Sequence, residues 1–311
     1  MKILVAGGAG FIGSNLIDAL LERGHDVICI DNYFIGTKQN IAHLADNSHF
    51  TMVEQDICDM NALKKVFEKH NFEYVFHLAA NSDIQASAND PLIECHNTYL
   101  TTFTLLECMR LYGVKRFFFA STSAVYGDMH GECVAEDCPS LQPISYYGGA
   151  KLGAEGIISS YTYMNDMQTL IFRFPNVIGP RLTHGVIFDF IKRLRAEPDH
   201  LRILGNGQQS KPYIYVMDLV DAILYFMDVP KGITLYNVGV EDQIEVKKIA
   251  EIVVEQMGLK NVKLEYTGGV GGWKGDVPVF QYDLSKIHAA GWYAKCNSEE
   301  SVRKTVKWAV K

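Results

Sequence analysis

The chain has no excess of positive charge and no long hydrophobic run. Its 29 Lys and Arg residues are outnumbered by 36 Asp and Glu residues, which gives a formal net charge of −7. Nucleic-acid binding draws on a basic surface, so this balance argues against a nucleic-acid partner and favours a small-molecule substrate. The apolar stretch after Met1 is too short for a signal peptide or a membrane span. We therefore expect a cytoplasmic protein without membrane association.

Paired cysteine motifs for metal binding or redox chemistry are also missing. The seven cysteines are scattered along the chain, without a C-x-x-C pair and without histidines at zinc-site spacing. We therefore predict no metal site, and reduced thiols of the kind found in the cytoplasm. No internal repeat, low-complexity tract or long linker interrupts the 311 residues. This length suits one large α/β unit with an added lobe.

Short apolar segments alternate with helical segments over the first half of the chain. Strands are predicted at residues 3–6, 27–30, 50–53, 74–78 and 116–120. Helices are predicted at about 11–23, 61–70 and 91–111, and from near Tyr147 onward. This alternation predicts an α/β fold with a doubly wound parallel sheet, in which ligands bind at the carboxyl ends of the strands.

The regular alternation ends after residue 172, where Gly- and Pro-containing turns become frequent. We predict a first, dinucleotide-binding domain from residues 1–172 plus about 213–240. A smaller, discontinuous C-terminal substrate-binding lobe would be formed by residues 173–212 plus 241–311. Ligand sites favour the boundary between such parts, so we expect the active site there.

The segment GGAGFIG at residues 7–13 connects the first predicted strand to the first predicted helix. Gly7 would permit a tight turn, Gly10 a close approach to a pyrophosphate, and Gly13 close packing of the helix on the strand. Asp31 ends the second strand, where its carboxylate would accept hydrogen bonds from an adenosine ribose and repel a 2′-phosphate. These features predict NAD rather than NADP, although Asp31 could also be an ordinary turn residue.

A second motif, YGGAK at residues 147–151, places a tyrosine and a lysine one helical turn apart. The usual pKa of a phenol is about 10, so a tyrosine base near pH 7 needs roughly 4 kcal/mol of phenolate stabilisation. The Lys151 ammonium and a positive nicotinamide ring would supply such a field. Tyr146 is a rival base, but it has no lysine at this spacing. The two motifs together predict redox chemistry on a bound nicotinamide cofactor.

Motifs along nearly the whole chain resemble the extended short-chain dehydrogenase/reductase family, particularly NAD-dependent nucleotide-sugar epimerases and dehydratases of the UDP-galactose 4-epimerase type. They are GGAGFIG at 7–13, DN at 31–32, DI at 56–57, HLAA at 77–80, STSAVYG at 121–127, YGGAK at 147–151, RFPNVIGPR at 173–181 and WKGDVP at 273–278. The resemblance implies a Rossmann-type NAD domain and a nucleotide-sugar-binding lobe.

The resemblance also assigns roles to individual residues. Tyr147 would be the catalytic base, Lys151 would hold the nicotinamide ribose, and Thr122 would hydrogen-bond the reacting sugar hydroxyl. The implied cofactor-binding residues are Gly7, Gly10, Phe11, Ile12, Gly13, Asp31, Asn32, Asp56, Ile57, Leu78, Ala79, Ala80, Asn97, Ser121, Tyr147 and Lys151. Asn97 could instead make a polar contact within its own helix.

The implied substrate-binding residues are Ser82, Thr122, Ser123, Tyr147, Asn176, Val186, Lys211 and Asp276. Lys211 stands where the family usually has an arginine that contacts the diphosphate, so the charge is kept but bidentate geometry is lost. Trp273 stands where the family often has another arginine. The nucleotide contacts therefore need not match those of the hexose epimerases.

Ser123 and Ala124 bear on the type of reaction. Dehydratases of this family usually carry Asp-Glu after the threonine, and uronate decarboxylases usually carry Glu before VYG, whereas neither residue here can titrate. The resemblance therefore favours 4-epimerisation of a UDP-hexose or related UDP-sugar through a transient 4-keto intermediate. A dehydratase, decarboxylase or net oxidoreductase of the same family stays open, as does a non-catalytic NAD-sensing protein.

The helices predicted at 91–111 and 147–164 carry more apolar residues than a solvated face needs. Family members pair these helices in a four-helix bundle, which implies a homodimer, and packing on the sheet alone is the alternative. We interpret Glu155 as a surface carboxylate of its helix and Asp218 as a helix N-cap.

Overall fold

The computed structural model describes residues 1–269, 277 and 279–311, with Gln85 and Ala86 described as backbone only. Its strands are β1 (Lys2–Ala6), β2 (Asp26–Asp31), β3 (Phe50–Glu54), β4 (Tyr74–His77), β5 (Arg116–Thr122), β6 (Cys133–Val134), β7 (Gln168–Phe174), β8 (Asn176–Ile178), β9 (His200–Ile203), β10 (Ser210–Lys211), β11 (Tyr213–Tyr215), β12 (Gly232–Asn237), β13 (Ile244–Glu245), β14 (Lys263–Tyr266) and β15 (Gln281–Tyr282).

The α-helices are α1 (Phe11–Glu22), α2 (Met60–Lys69), α3 (Ile84–Asn89), α4 (Leu92–Glu94), α5 (Thr101–Tyr112), α6 (Tyr146–Met164), α7 (Val186–Ala196), α8 (Val216–Tyr225), α9 (Val246–Gln256), α10 (Ser285–Ala289) and α11 (Ser298–Ala309). A π-helix at Cys95–Leu100 joins α4 to α5, and 3₁₀ segments lie at Lys38–Leu44 and Ser123–Val125. None of the helices in the described ranges is both long enough and apolar enough to cross a bilayer.

The central sheet has seven strands in the order β12-β7-β5-β4-β1-β2-β3. The pairs β3–β2, β2–β1, β1–β4 and β4–β5 are parallel, so the predicted doubly wound Rossmann-type α/β fold is confirmed. Chain order reverses between β1 and β4, where Ala6 is in register with His77. This reversal creates a crevice at the carboxyl ends of the two strands.

Local sequence explains the elements of this sheet. The four residues Ile3, Leu4, Val5 and Ala6 are fully buried, as the continuous apolar run predicts for a strand covered on both faces. The helix α1 ends where Gly24 adopts the left-handed conformation, with φ of +76°. The N-cap Asp59 accepts hydrogen bonds from the backbone N–H groups of Asn61 and Ala62 and so begins α2.

The chain divides into two units. The first comprises Met1–Gly127, Ser140–Arg173 and Ile223–Tyr236, and the second comprises Asp128–Pro139, Phe174–Ala222 and Asn237–Lys311. The units differ from our predicted boundaries mainly in two segments, and Arg173 and residues 237–240 also fall in the other unit. Residues 213–222 lie in the second unit because β11 pairs with β8, and residues 128–139 lie there because β6 pairs with β15. These short pairings involve distant parts of the chain, which local patterns do not reveal.

The second unit has its own hydrophobic core. The helices α7, α9 and α11 pack together, and β9 and β14 form a parallel pair. Among the fully buried side chains are Ile203, Ile249 and Val302. A capping box, in which Asn297 and Glu300 exchange side-chain and backbone hydrogen bonds, starts α11.

Both of our interpretations were wrong: Glu155 is buried, and Asp218 lies inside α8, which begins at Val216. The guanidinium of Arg173 on β7 binds both carboxylate oxygens of Glu155, with Nε–Oε1 and Nη2–Oε2 distances of 3.0 and 2.6 Å. Glu155 therefore faces the sheet rather than solvent. Asp218 accepts hydrogen bonds from the backbone N–H groups of Lys295 and Cys296, and so holds a distant segment instead of starting its own helix.

Replacing Arg173 by Met should strongly destabilise the protein, because the Glu155 carboxylate would stay buried without its partner. Loss of one partner of a buried pair costs about 3–5 kcal/mol. The free energy of unfolding, measured by urea denaturation, reports this loss. Arg110→Met is the matched control, since Arg110 pairs with Glu107 at the surface and such pairs contribute roughly 0–1 kcal/mol. Equal losses in the two variants would contradict a dominant role for the buried pair.

Candidate active site

The turn after β1 requires glycine at two positions. Gly7 has φ of +79°, and a Cβ there would lie 2.5 Å from the backbone nitrogen of Ala79. A Cβ at Gly13 would lie 2.3 Å from the carbonyl oxygen of Gly7. A larger residue at Gly7 would push the turn away from the chain that follows β4. A larger residue at Gly13 would push α1 away from the turn. The glycines therefore hold the first turn of α1 at the crevice between β1 and β4.

The N-terminus of α1 is suited to an anionic group. Gly10 is its N-cap and provides no side-chain hydrogen bond, and no acidic residue occupies the first turn. The first N–H groups of a helix lack partners within the helix, and the helix dipole favours negative charge there. Phe11 and Ile12, which carry two of these N–H groups, are half-buried. This arrangement fits a pyrophosphate.

Asp31, at the end of β2, is only 7% exposed and bonds to the glycine turn. Its Oδ2 accepts the N–H of Ala9 at 2.9 Å, and its Oδ1 accepts the N–H of Tyr33 at 2.8 Å. Burial raises the pKa of Asp31, and these two hydrogen bonds oppose the rise. These bonds give Asp31 a structural role in the turn, and its predicted contact with the adenosine ribose stays a prediction. Each oxygen still has a lone pair that can accept a ribose hydroxyl.

The other predicted cofactor residues of the first unit follow the neighbouring strands. Leu78, Ala79 and Ala80 come directly after β4 and are half-buried. Asp56 follows β3 and is half-buried, and its Oδ2 accepts a hydrogen bond from Asn32 Nδ2 at 3.4 Å. The next residue, Ile57, is buried in the hydrophobic core. Ser121 is buried near the end of β5, and Asn97 is half-buried in the π-helix. Most of these residues therefore follow the carboxyl ends of the strands, and their grouping around one cofactor stays a prediction.

The helix α6 carries the predicted base and lysine to the end of β5. Thr122 is the last residue of β5, and its hydroxyl forms a hydrogen bond with the Tyr147 side chain. The Lys151 Nζ lies 5.9 Å from the centre of the Tyr147 ring and donates a 2.7 Å hydrogen bond to the carbonyl of Ala120. The side chain of Tyr146 is 56% exposed, so the structure favours Tyr147 over this rival.

The electrostatics of this group differ from our expectation. Burial raises the pKa of the Tyr147 phenol, the Thr122 hydrogen bond opposes the rise, and the Glu94 carboxylate adds to it. Burial lowers the pKa of Lys151 to about 8. In this structure the lysine therefore does not bring the phenol into the range of a base near pH 7. A positively charged nicotinamide ring is the remaining source of stabilisation that we had anticipated.

Sequence reasoning missed the buried carboxylate of Glu94. It is 2% exposed, and it accepts hydrogen bonds from Asn81 Nδ2 at 2.7 Å and from Thr98 Oγ1 at 2.8 Å. A glutamate amid the apolar residues of a predicted helix was the available signal. Its partners could not be identified, because Asn81 lies on a separate segment beyond β4.

A group of three possible metal ligands was also not visible from residue spacing. Ligand atoms of Asp56, Cys58 and His96 all lie within 4.8 Å of one another. The Cys58 Sγ donates to the carbonyl oxygen of His96 at 3.3 Å, and burial together with Asp56 raises the pKa of the thiol to about 12. His96 comes from the π-helix, so only folding brings it near the other two.

The predicted substrate residues fall in both units. Ser82 and Ser123 lie in the first, as do Thr122 and Tyr147; Ser82 is exposed and Ser123 half-buried. The second unit contains the exposed Asn176 on β8, the half-buried Val186 at the start of α7 and the half-buried Lys211 on β10. Asp276 and Trp273 lie outside the described residues. The grouping of these side chains around one substrate stays a prediction.

Comparison with known proteins identifies the family. Residues 3–239 match the model of the NAD dependent epimerase/dehydratase family. The chain belongs to this family. A putative UDP-glucose 4-epimerase of Methanocaldococcus jannaschii is 32% identical over 98% of this chain and 97% of its own length. A UDP-glucuronate 4-epimerase of Thermodesulfobacterium geofontis is 31% identical over 98% of this chain and 95% of its own length.

A solved structure supports the same assignment. A UDP-glucose 4-epimerase of Thermus thermophilus in complex with NAD is 30% identical, covers 99% of this chain and 98% of its own, and superposes with a TM-score of 0.87. The cofactor is NAD, as predicted from the glycine turn and Asp31. The glycine positions and the open first turn of α1 fit that group. Extended short-chain dehydrogenase/reductase membership, predicted from the motifs, is likewise confirmed.

Replacing Tyr147 by Phe should abolish turnover while sparing NAD binding, because only the hydroxyl is removed. Product formation and the NAD released on denaturation measure the two effects. Tyr146→Phe is the matched control and should keep its activity, since that ring faces solvent. Unchanged activity of the Tyr147 variant would overturn its assignment as the base.

The buried His77 should make stability depend on pH. Its Nε2 bonds Thr102 Oγ1 at 2.9 Å, and burial lowers its pKa from 6.5 to about 3. Below pH 6.5 the unfolded chain binds a proton that the native protein does not, so stability falls between pH 6.5 and pH 3. This loss is about 2 kcal/mol at pH 5.

His77→Gln tests this dependence, because glutamine is polar but does not titrate. We expect the difference in unfolding free energy between the native protein and this variant to shrink by about 2 kcal/mol from pH 7 to pH 5. Urea denaturation at both pH values measures it. A difference that is the same at both pH values would show that His77 is not the source.

Proposed function

We propose that the protein is an NAD-dependent nucleotide-sugar 4-epimerase that acts on a UDP-hexose or a related UDP-sugar. The observation that carries this proposal is the Thr122, Tyr147 and Lys151 group at the end of β5. The adjoining Ser123 and Ala124 offer no titratable side chain. One of the two relatives is named a putative UDP-glucose 4-epimerase and the other a UDP-glucuronate 4-epimerase, which supports the same class.

The reaction begins with removal of a proton from the sugar C4 hydroxyl by Tyr147, with the Thr122 hydroxyl as its hydrogen-bonding partner. When bound, NAD would accept the hydride from C4 and return it to the other face of the 4-keto sugar, which inverts C4. Lys151 contributes positive charge beside the phenol. The protonated Tyr147 then returns its proton to C4–O, and no further acid is needed.

The substrate side of the proposal rests on the family resemblance. Ser82, Asn176, Val186, Lys211 and Asp276 would contact the nucleotide sugar. Among them, Lys211 would supply positive charge to the diphosphate. The two relatives are named for glucose and glucuronate, so their names do not identify one sugar.

We also propose that two copies of the chain form a homodimer through a four-helix bundle. We further propose that the protein is cytoplasmic. Phe103 and Leu111 on α5, and Tyr163 and Met164 on α6, are large apolar side chains that are exposed in the single chain. Exposed apolar surface of this kind favours association. All seven cysteines are free thiols, which suits a reducing compartment.

The test is incubation of the purified protein with UDP-, GDP-, CDP- and dTDP-sugars, with products analysed by mass spectrometry and proton NMR. We expect a product of unchanged mass in which the C4 coupling is inverted. The Tyr147→Phe variant, loaded with NAD, is the control for contaminating activity. Loss of water or carbon dioxide would instead indicate a dehydratase or decarboxylase. No change with any sugar, despite bound NAD, would favour the NAD-sensing alternative.

A further inference from the structure

Asp56, Cys58 and His96 form a cluster of metal-ligating side chains that lies outside the Thr122, Tyr147 and Lys151 group. A carboxylate oxygen, a thiol sulfur and an imidazole nitrogen all lie within 4.8 Å of one another. Within the described ranges, no other three His, Cys, Asp or Glu side chains meet in this way. The cluster combines the nitrogen and sulfur ligands that zinc prefers with one carboxylate.

The three ligand atoms are spaced nearly as they would be around zinc. Zinc lies about 2.0–2.3 Å from its ligands, so the ligand atoms of a tetrahedral site are roughly 3.5 Å apart. No separation in the cluster exceeds 4.8 Å, and each therefore needs to shorten by little more than about 1 Å. His96 is exposed, and Asp56 and Cys58 are half-buried. Side-chain rotation can therefore close the cluster without disturbing the core.

Two of the ligands come from one turn after β3, in which hydrogen bonds orient the Asp56 carboxylate. Its Oδ1 accepts the N–H of Cys58 at 2.8 Å, and its Oδ2 accepts a hydrogen bond from Asn32 Nδ2 at 3.4 Å. Each oxygen keeps a second lone pair that can bind a cation. Such hydrogen bonds orient the carboxylate ligands of metal sites. The turn therefore holds Asp56 beside Cys58 before an ion arrives.

The π-helix brings the third ligand to this turn. The Cys58 Sγ donates to the carbonyl oxygen of His96 at 3.3 Å, so the two residues are already in contact. The Nδ1 of His96 lies 3.3 Å from Asn97 Oδ1. This contact makes Nδ1 the donor and leaves the Nε2 lone pair for an ion, as in metal sites where the second ring nitrogen is hydrogen-bonded. π turns are also frequent at functional sites.

We propose that Asp56, Cys58 and His96 bind a zinc ion, with water in the fourth position. On binding, the Sγ–H bond of Cys58 breaks, its proton passes to the buffer and a zinc–sulfur bond forms, without a change in oxidation state. The ion connects the turn after β3 to the π-helix, two segments that are distant in sequence. This proposal replaces our prediction of no metal site, which considered only spacing along the chain.

Zinc titration of the purified protein, with NAD in place and a chromophoric chelator as competitor, measures the affinity. Asp56 is also among the predicted cofactor residues, so the decisive variants change the other two ligands. Cys58→Ser and His96→Gln should each weaken zinc binding by about 100-fold or more, since even partners outside the ligand set contribute 10–100-fold. Cys133→Ser and His130→Gln make the same changes at exposed residues elsewhere and should keep the native affinity.

Cobalt identifies the sulfur ligand directly. Co²⁺ bound to a thiolate gives a charge-transfer band in the near ultraviolet, which oxygen ligands alone do not give. The native protein and Cys133→Ser should show this band, and Cys58→Ser should not. Mg²⁺ prefers oxygen ligands, so an excess of about 100-fold should displace neither zinc nor cobalt. Zinc should also raise the thermal unfolding temperature of the native protein but not that of Cys58→Ser, which shows in addition that the variant is folded.

Equal zinc affinities in the native protein and Cys58→Ser, or absence of the cobalt charge-transfer band, would overturn the proposal, because the metal would then be an adventitious ion only. An unchanged affinity in His96→Gln would overturn the three-ligand site. An equal loss of affinity in Cys133→Ser or His130→Gln would place the metal elsewhere. These measurements need no sugar, so they give a result whether or not the protein is an epimerase.

Discussion

The close approach of two backbone segments at the carboxyl ends of β1 and β4 is the constraint on which this site depends. A Cβ at Gly7 would collide with the backbone of Ala79, so the turn can exist only with glycine there. That contact sets the position of the N-terminus of α1, which faces the crevice where the strand order reverses. The cofactor residues after β2 and β3 are then placed by the parallel register of the sheet.

The second organising element is α6, which carries the proposed base Tyr147, together with Lys151 and the carboxylate of Glu155. Tyr147 and Lys151 reach the end of β5, and Glu155 one turn later binds Arg173 on β7. The buried ion pair therefore fixes the rotation of the helix about its axis. A helix held in this way keeps the phenol beside Thr122 without depending on flexible contacts.

Sequence reasoning succeeded where a residue's role depends on its immediate neighbours. Five of the seven strands of the central sheet, the end of α1 at Gly24 and the glycine turn follow from local pattern and backbone geometry, whereas β7 and β12 were not predicted. It failed where burial depends on distant residues: Glu155 looked like a surface carboxylate because its partner Arg173 is on another element. Glu94 escaped notice for the same reason, since Asn81 lies beyond β4.

The segment 213–222 shows the same limit at the level of topology. The strand β11 is only three residues long, and nothing in its composition distinguishes pairing with β8 from addition to the central sheet. The raised pKa of Tyr147 could not be predicted either. The spacing of Tyr147 and Lys151 indicates that an ammonium would stabilise a phenolate, but it does not show that burial of the phenol raises its pKa.

The π-helix at Cys95–Leu100 has a consequence for how this protein can vary. A π turn holds one more residue than an α turn of similar length, so it behaves like an inserted residue absorbed within a continuous helix. Deleting one residue there would convert the π turn into an α turn without rotating α5 relative to α4. The buried face of α5, with Leu105 and Met109, would stay in the core. A one-residue deletion should therefore be tolerated within this π turn, whereas a deletion inside α5 itself would rotate the residues on either side of it by about 100° relative to one another.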